Sequence, residues 1–527
     1  MTTEWSSYDN VVIGSGHNGL IAAAYLAAAG QSVLILEKNT VAGGATQSQQ
    51  IFPDYDALLS RYSYLVSLLP DQIVSDLKLS FRTKPRDTAS FTPWRDSAGN
   101  HRGLLLSNAD PQRSASSMRE LTGSDSEWRQ YQKFAELQAT LTDVIWPSFL
   151  QPLQTRQSFL NQLRTESQKA AWDAFVERPL GESIEHYFSS DLVRGLILTD
   201  AKIGVFTWPH DPSLLQNRCF LYHISGNGTG EWKVPVGGMQ SLVNTLLHQC
   251  RQSGVEIRLS SPALHIETQK NQHVVTFQNE GQQQHVTAQR VLINAGPKTF
   301  CRLLDRPWQP APEDEGSVIK INMLLKQLPQ LMATGVNSRE AFGGTFHIDE
   351  GYQQMLQSWR QASQGQLPDP APGEIYCHTL TDPSILSPDL QTRGFHTLTL
   401  FGLDMPWRLF EKDHDLRKKQ ILQRYLEGLN RVCAEPFEEC LARDQHGRPC
   451  IEIRTPQDLQ QELDLDLGNI FHNQLSWFFA EDADSAGQWG VETDIPGIYR
   501  AGSSAMRGGA VSGIPGYAAA RCILGLK

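Results

Sequence analysis

The stretch NVVIGSGHNGLIAAAYLAAAGQSVLILEK, residues 10–38, decides the fold. Val11–Ile13 is a short apolar run that ends at a glycine, the pattern of a buried strand. Gly14, Gly16 and Gly19 follow in the spacing G-x-G-x-x-G. Leu20–Ala29 is rich in Ala and Leu and predicts a helix, stopped by Gly30. Ser32–Leu36 is a second apolar strand, with Glu37 at its carboxyl end, eighteen positions after Gly19. The first glycine allows the sharp turn, the second lets the backbone approach a diphosphate, and the third lets helix and strand pack closely. The diphosphate would rest on the helix amino end, where free N–H groups and the helix dipole favour an anion. Glu37 would accept hydrogen bonds from a ribose diol. With strands, helix and acid all in place, Gly14, Gly16, His17, Asn18 and Gly19 read as a dinucleotide-binding turn.

Beyond Glu37 the chain reads KNTVAGGATQS, which brings in Lys38, the paired Gly43 and Gly44, then Ala45 and Thr46. A double glycine here lets the backbone run close along an extended cofactor. The arrangement resembles the FAD-binding start of glutathione-reductase-like flavoproteins, and that resemblance selects FAD.

The rest of the chain sets bounds. Its 527 residues allow two or more domains, and 40% hydrophobic residues suit a sizeable core. A net charge of −11 disfavours nucleic acid as a partner and broad attraction to anionic membranes. Eight cysteines are scattered without a C-x-x-C, so neither a redox dithiol nor a zinc site is expected. Reduced thiols and a start that leads directly into the first strand predict a cytoplasmic protein, with peripheral membrane contact left open. The longest apolar run, Leu20–Ala29, is about half of the ~20 residues a spanning helix needs.

Along the chain, α/β character alternates with other patterns. Residues 82–232 start polar and strand-poor, then read as helices from Ser107 to Tyr187, with Ser124 as a cap. EWKVPVGGMQSLVNTLL then predicts a helix over Met239–Ser253, a strand at Val255–Leu259, and short strands at Ala263–Thr268, His273–Gln278 and His285–Ala288. RVLINAGP, residues 290–297, is an apolar strand ending in glycine. Ser317–Leu325 and HTLTLFGL predict strands, and DLRKKQILQRYLEGLNRVC predicts a helix. The last stretch, GIYRAGSSAMRGGAVSGIPGYAAARCILG, is strand, glycine loop and helix. The expected fold class is α/β: a discontinuous Rossmann FAD domain (residues 1–80, 231–310 and 466–527) with a second α+β substrate domain (81–230 and 311–465). Ligands commonly bind between such domains.

GSSAMRGGAVSGIPGYAAA, residues 502–520, resembles the carboxyl-terminal FAD motif of phytoene desaturases and related carotenoid oxidoreductases. VPVGGMQSL and GSGHNGL resemble that family's central and amino-terminal elements, in the same order and spanning nearly the whole chain. The family lies within the flavin amine oxidase superfamily and includes pyridine-nucleotide-disulphide-oxidoreductase-like proteins. The resemblance implies FAD contacts from Gly502, Ser503, Gly509, Gly513, Ile514 and Pro515, and from Ala263 at the start of the meander. A helix starting near Gly513 would aim its N–H groups at the flavin pyrimidine, stabilising charge that builds up on reduction. Three departures stand out: Ala510 replaces the third glycine of the family triplet, Gly516-Tyr517-Ala518 lacks the usual Asn, and Met506-Arg507 replaces the common His-Pro.

The candidates for chemistry follow. GSVIK, residues 316–320, resembles the amine-oxidase strand whose lysine faces flavin N5 through water, which makes Lys320 a catalytic candidate or else a solvent-facing strand residue. Arg507, beside the glycines, would stabilise reduced flavin or an acidic substrate group, or form a surface ion pair. Arg61, Tyr62 and Tyr64 of LSRYSYL, with Tyr222, His223, His472 and Trp477, are candidates for the substrate wall or for ordinary packing. No metal cluster, nucleophilic triad or paired-carboxylate arrangement is legible in the spacing.

The expected function is an FAD-dependent, desaturase-like oxidoreductase taking hydride from an apolar or amphipathic small molecule, with oxygen or a quinone as acceptor. Amine oxidation, polyene isomerisation or ketolation, and a non-enzymatic flavoprotein scaffold are the alternatives. Oligomeric state is left open.

Overall fold

The computed structural model describes residues 5–270 and 272–526. Two seven-stranded sheets organise the chain. The first runs in the order Ala263–Thr268, His273–Asn279, Gln282–Ile293, Ser6–Ile13, Val33–Leu36 and Glu256–Arg258. Ile498–Arg500 adds in parallel beside Gln282–Ile293. Its central strands are parallel, with Ile13 level with Leu36 and Ile293. That register puts the turn after Ile13, the acid after Leu36 and the residues after Ile293 at one carboxyl edge, where ligands bind in open α/β sheets.

The first helix, His17–Ala28, begins three residues before the expected start. It is buried on most sides, because the helices Gln240–Gln252 and Ile514–Ile523 pack on it as well as the sheet. This explains its all-apolar run, which shows no amphipathic stripe. The expected strand His285–Ala288 and the start of the expected strand Arg290–Pro297 are one strand, Gln282–Ile293. No Gly or Pro interrupts it. Its first half pairs antiparallel with His273–Asn279, and its last residues pair parallel with Ile498–Arg500.

The second sheet runs in the order Ile451–Arg454, Ile319–Leu325, His396–Gly402, Gly373–Tyr376, Thr345–Ile348, Thr88–Arg95 and His101–Ser107. The last two strands correct the strand-poor reading of that region. They form a hairpin whose turn is tied by the Asp96 carboxylate, which accepts from the N–H groups of Ala98 and Asn100. Pro93 and buried Thr88, Ser90 and Thr92 hide the apolar alternation. Helices between residues 111 and 224, led by Ser126–Ile145, cover one side through a large apolar cluster that also takes in Leu104, Leu106, Val318 and Phe401. The N-cap of Ser126–Ile145 is Asp125, without a side-chain cap bond, and not the expected Ser124, whose hydroxyl lies one residue earlier and accepts from the Ser126 N–H at 3.3 Å.

At the first turn, a methyl group on Gly19 would lie 2.3 Å from the Gly14 carbonyl oxygen and 2.7 Å from Asn294 Nδ2. Both contacts involve atoms fixed by the sheet. Gly19→Ala is therefore expected to destabilise the protein by about 1–3 kcal/mol, as overpacking of a tight core does. Urea unfolding of the variant beside the wild type checks this, and an unchanged midpoint would refute it.

Candidate active site

One cavity of about 850 Å³ reaches from the carboxyl edge of the first sheet to the inner face of the second. At the first end it is lined by Gly14, Gly16, His17 and Asn18, by Glu37 and Lys38, and by Gly43–Thr46. Ala263, Asn294 and Ser503 complete this end. Sequences far apart thus meet here because parallel strands place their carboxyl ends side by side.

The geometry at this end fits an FAD. The first helix has no side-chain cap and no acidic residue in its first turn, which leaves its leading N–H groups for an anion. His17 Nε2 and Asn18 Oδ1 are buried without partners. Glu37 is buried. Its Oε2 accepts from the Ser15 N–H at 2.8 Å and the Ser15 hydroxyl at 2.6 Å, and its Oε1 accepts from the Asn39 N–H at 2.9 Å. These bonds aim the carboxylate while leaving lone pairs for a diol. Lys38 is held by the Asp464 carboxylate, and His17 Nδ1 lies 3.0 Å from Thr46 Oγ1.

The chain's last glycine loop contributes differently than expected. Ser503, Ala510 and Val511 line the cavity, whereas Gly502, Gly509, Gly513, Ile514 and Pro515 are not among its wall residues. Gly502 faces Asn294, Gly509 faces Phe471 and Tyr222, and Gly513 faces Ile21. Ala510 adopts φ +41°, so the loop holds a conformation that favours glycine even where alanine stands. Gly19, too, serves packing rather than the wall.

Arg507 is turned away from the cavity. It is buried, and its guanidinium donates to the carbonyls of Ser148 at 2.6 Å, Gln151 at 2.8 Å and Trp489 at 3.2 Å. Burial pulls its pKa down to about 10, partly offset by Glu492. It ties the glycine loop to the helical region and is not a wall residue of the cavity. Arg61 likewise lies outside the wall, paired with Glu452 at 2.7 Å and Glu462 at 3.7 Å. Trp477 stacks on Phe479 in the helical core.

Lys320 is a wall residue and is buried. Its Nζ donates to the carbonyls of Ser60 at 2.7 Å and Tyr62 at 2.6 Å, and lies 4.6 Å from the Tyr64 ring centroid. Burial holds its pKa well below the ordinary lysine value, with Glu452 acting weakly in the opposite direction. Tyr62 and Tyr64 share this wall, as do Tyr222, His223 and His472. The Tyr222 hydroxyl is buried without a partner. His223 Nδ1 lies 2.9 Å from the Cys219 carbonyl oxygen.

The substrate end holds groups the sequence did not single out. Leu106, Ala135, Ala139, Leu196, Ile197 and Ile203 form an apolar wall. Arg86, Asp200, His347, Glu374 and Tyr376 form a polar one. Burial, reinforced by Glu374 and Glu350, raises the Asp200 carboxyl to about 8. The paired-carboxylate arrangement missing from the spacing is therefore present in space. His347 and Glu374 lie directly opposite each other on neighbouring strands, a proximity that a gap of 27 residues does not reveal.

The model of the flavin containing amine oxidoreductase family matches residues 19–439. The chain belongs to this family. Its members are FAD-binding oxidoreductases, and FAD is the cofactor of this chain. An uncharacterized protein of Mycobacterium tuberculosis (strain ATCC 25618 / H37Rv) is 41% identical over 524 residues, covering 98% of this chain and 97% of the relative. Pyridine nucleotide-disulfide oxidoreductase domain-containing protein 2 of Rattus norvegicus is 29% identical over 559 residues, covering 98% and 93%. Among solved structures, putrescine oxidase bound to putrescine aligns with TM-score 0.54 at 17% identity, covering 98% of this chain and 97% of that one. Cyclohexylamine oxidase from Brevibacterium oxydans IH-35A aligns with TM-score 0.55 at 14% identity, covering 98% of each. These two share the fold. Among the described residues, no helix is long and apolar enough to cross a membrane.

Two outcomes are expected of this flavoprotein. Glu37→Ala loses a charged acceptor and should weaken FAD retention by roughly tenfold or more, from the ~1.5–3 kcal/mol of a charge-assisted hydrogen bond. Flavin absorbance after gel filtration measures it, and full retention would refute the ribose assignment. Burial lowers the pKa of His17, His223 and His472 to about 4 each. Each keeps the folded protein stable above the unfolded histidine value of ~6.5, and that stability is lost as pH falls towards about 4. His472→Asn should therefore flatten the decline of unfolding free energy between those values, and a wild-type slope would refute it.

Proposed function

We propose that this FAD-dependent oxidoreductase is a desaturase-like dehydrogenase acting on an apolar or amphipathic small molecule. The observation that carries the reading is the wall beyond Lys320. Its helical side carries Ala135, Ala139, Leu196, Ile197 and Ile203 beside the polar Gln138, Thr142 and Asp200, and a mixed wall of this kind suits an amphipathic body with a polar head. FAD, when bound, accepts a hydride from substrate carbon and passes the electrons on to oxygen or a quinone.

The protein's own groups orient and exclude water. Leu196, Ile197 and Ile203 desolvate the substrate, and Tyr64, Tyr376 and Phe401 pack close together beside Lys320. Burial holds the Lys320 pKa well below the ordinary lysine value, and Nζ donates to the Ser60 and Tyr62 carbonyls. Its remaining position on Nζ is available to a water in the cavity, through which it holds and returns a proton during reoxidation. Met506 of the last glycine loop packs against Gly490 and is not a wall residue, so this position offers no aromatic to cage an amine. That weighs against simple amine oxidation.

Anaerobic mixing with substrates tests the reading. Bleaching of the flavin by a long-chain polyene precursor, with a gain of conjugation in the product, is expected. Bleaching by a primary amine with an imine product would overturn it in favour of amine oxidation. Lys320→Met should retain flavin and slow reoxidation by ~10-fold or more, the scale of a lost proton-handling group. Stopped-flow oxygen kinetics at the wild-type rate would remove that role.

A further inference from the structure

His347 and Glu374 face each other across two antiparallel strands, and Glu350 follows His347 by three residues. A ring nitrogen of His347 and one carboxylate oxygen from each glutamate all lie within 4.8 Å of one another. The three side chains are 1–3% exposed or close to it, with His347 at 3%, Glu350 at 2% and Glu374 at 3%. The place is built by the fold. A methyl group on Gly195 would lie 1.9 Å from the Glu350 carbonyl oxygen, so glycine there lets the helix Asp191–Leu198 press directly on this corner.

The hydrogen bonds are incomplete in a telling way. His347 Nδ1 lies 2.6 Å from Glu350 Oε2. Opening this contact would leave a ring nitrogen lone pair and a Glu350 oxygen side by side, within 4.8 Å of a Glu374 oxygen. Glu350 Oε1 is buried with no partner. Glu374 accepts from the Thr199 hydroxyl at 3.1 Å and from the Tyr376 hydroxyl. The remaining capacity of all three residues is acceptor capacity.

Charge tells the same story. Asp200, Asp349 and Asp404 lie close enough to act electrostatically on this group, so five carboxylates gather here. The nearby cations are Lys202, paired with Asp404 at 2.8 Å, Arg431, paired with Asp349, and Arg86. Ionised, the cluster is two positive charges short, and uncompensated charge in a dry interior is costly.

We propose that His347, Glu350 and Glu374 bind one divalent transition-metal ion at the substrate end of the cavity. One imidazole and two carboxylates suit Zn²⁺ or Mn²⁺. Since His347 and Glu374 are wall residues, a further ligand would come from the cavity, as water or as an oxygen of the substrate head group. The metal site does not rest on the desaturase reading, and its test needs no turnover.

Flavin-loaded protein, stripped with a chelator and dialysed, is titrated with Zn²⁺ alone and with Mn²⁺ alone by calorimetry. Elemental analysis follows after gel filtration. About one tightly held equivalent is expected, with a raised thermal midpoint, because metal binding to the folded state adds to its stability. His347→Gln and Glu374→Gln should each weaken uptake by ~10-fold or more while the flavin spectrum stays unchanged. Should either variant fail to fold, the wild-type stoichiometry still decides. Wild-type protein that takes up neither metal, or uptake unaltered in both folded variants, would overturn the proposal.

Discussion

The Gly14 carbonyl is the point on which the architecture converges. Asn294 Nδ2, at the end of the strand Gln282–Ile293, donates to it at 3.1 Å, and Gly19 in the first helix leaves no room for a side chain above it. The Gly14 N–H meanwhile donates to the Leu36 carbonyl at 2.8 Å. Two strands and a helix are thereby locked at one level. The helix amino end, the Glu37 carboxylate and the Asn294 side chain then face a common space without further adjustment. A cofactor diphosphate needs fixed N–H groups, and fixed groups cost nothing to reorganise when the anion arrives.

The second sheet is joined to this anchor through Lys320. A buried amine is tolerated because two backbone carbonyls, Ser60 and Tyr62, accept from it. Those carbonyls belong to the segment that follows the Gly43–Gly44 turn, so one side chain connects the cofactor-binding strandwork to the substrate sheet. Arg507 plays a comparable part elsewhere. Three carbonyls hold it, and it fastens the final glycine loop to the helices. In both cases a buried basic side chain is a joint between chain segments, held by backbone carbonyls rather than by a carboxylate.

The interior at the substrate end is unusually polar for a cavity with apolar walls. Asp200, Glu350 and Glu374 all have raised pKa values, about 8, 8 and 7, because burial and mutual repulsion disfavour their charges. Such a corner imposes a chemical demand on whatever occupies it. It favours a cation, or a polar head that can donate hydrogen bonds, and it leaves the apolar helical wall to hold the remainder of a substrate.

Local signals carried much of this. Glycine spacing, apolar run lengths and the acid after Leu36 fixed the dinucleotide turn, the order of strands and helices in the first sheet, and the wall residues from Gly14 to Thr46, because those contacts lie within one strand–turn–helix–strand unit. The burial of Lys320 was one of two open readings, since a strand sequence alone does not say which of its faces is covered. The hairpin Thr88–Ser107 was missed because its buried alternate positions are threonine and serine. Arg507 was placed beside the right loop and on the wrong side of it, since direction depends on which helix packs there. Asn294, Asp200, His347, Glu350 and Glu374 carried no signal at all. Their proximity comes from sheet register and from helices laid across strands distant in sequence. Motif spacing marked a dinucleotide-binding turn and the resemblance beyond it selected FAD; only tertiary packing, which brings remote side chains within ångströms of one another, decided what lines the other end of the cavity.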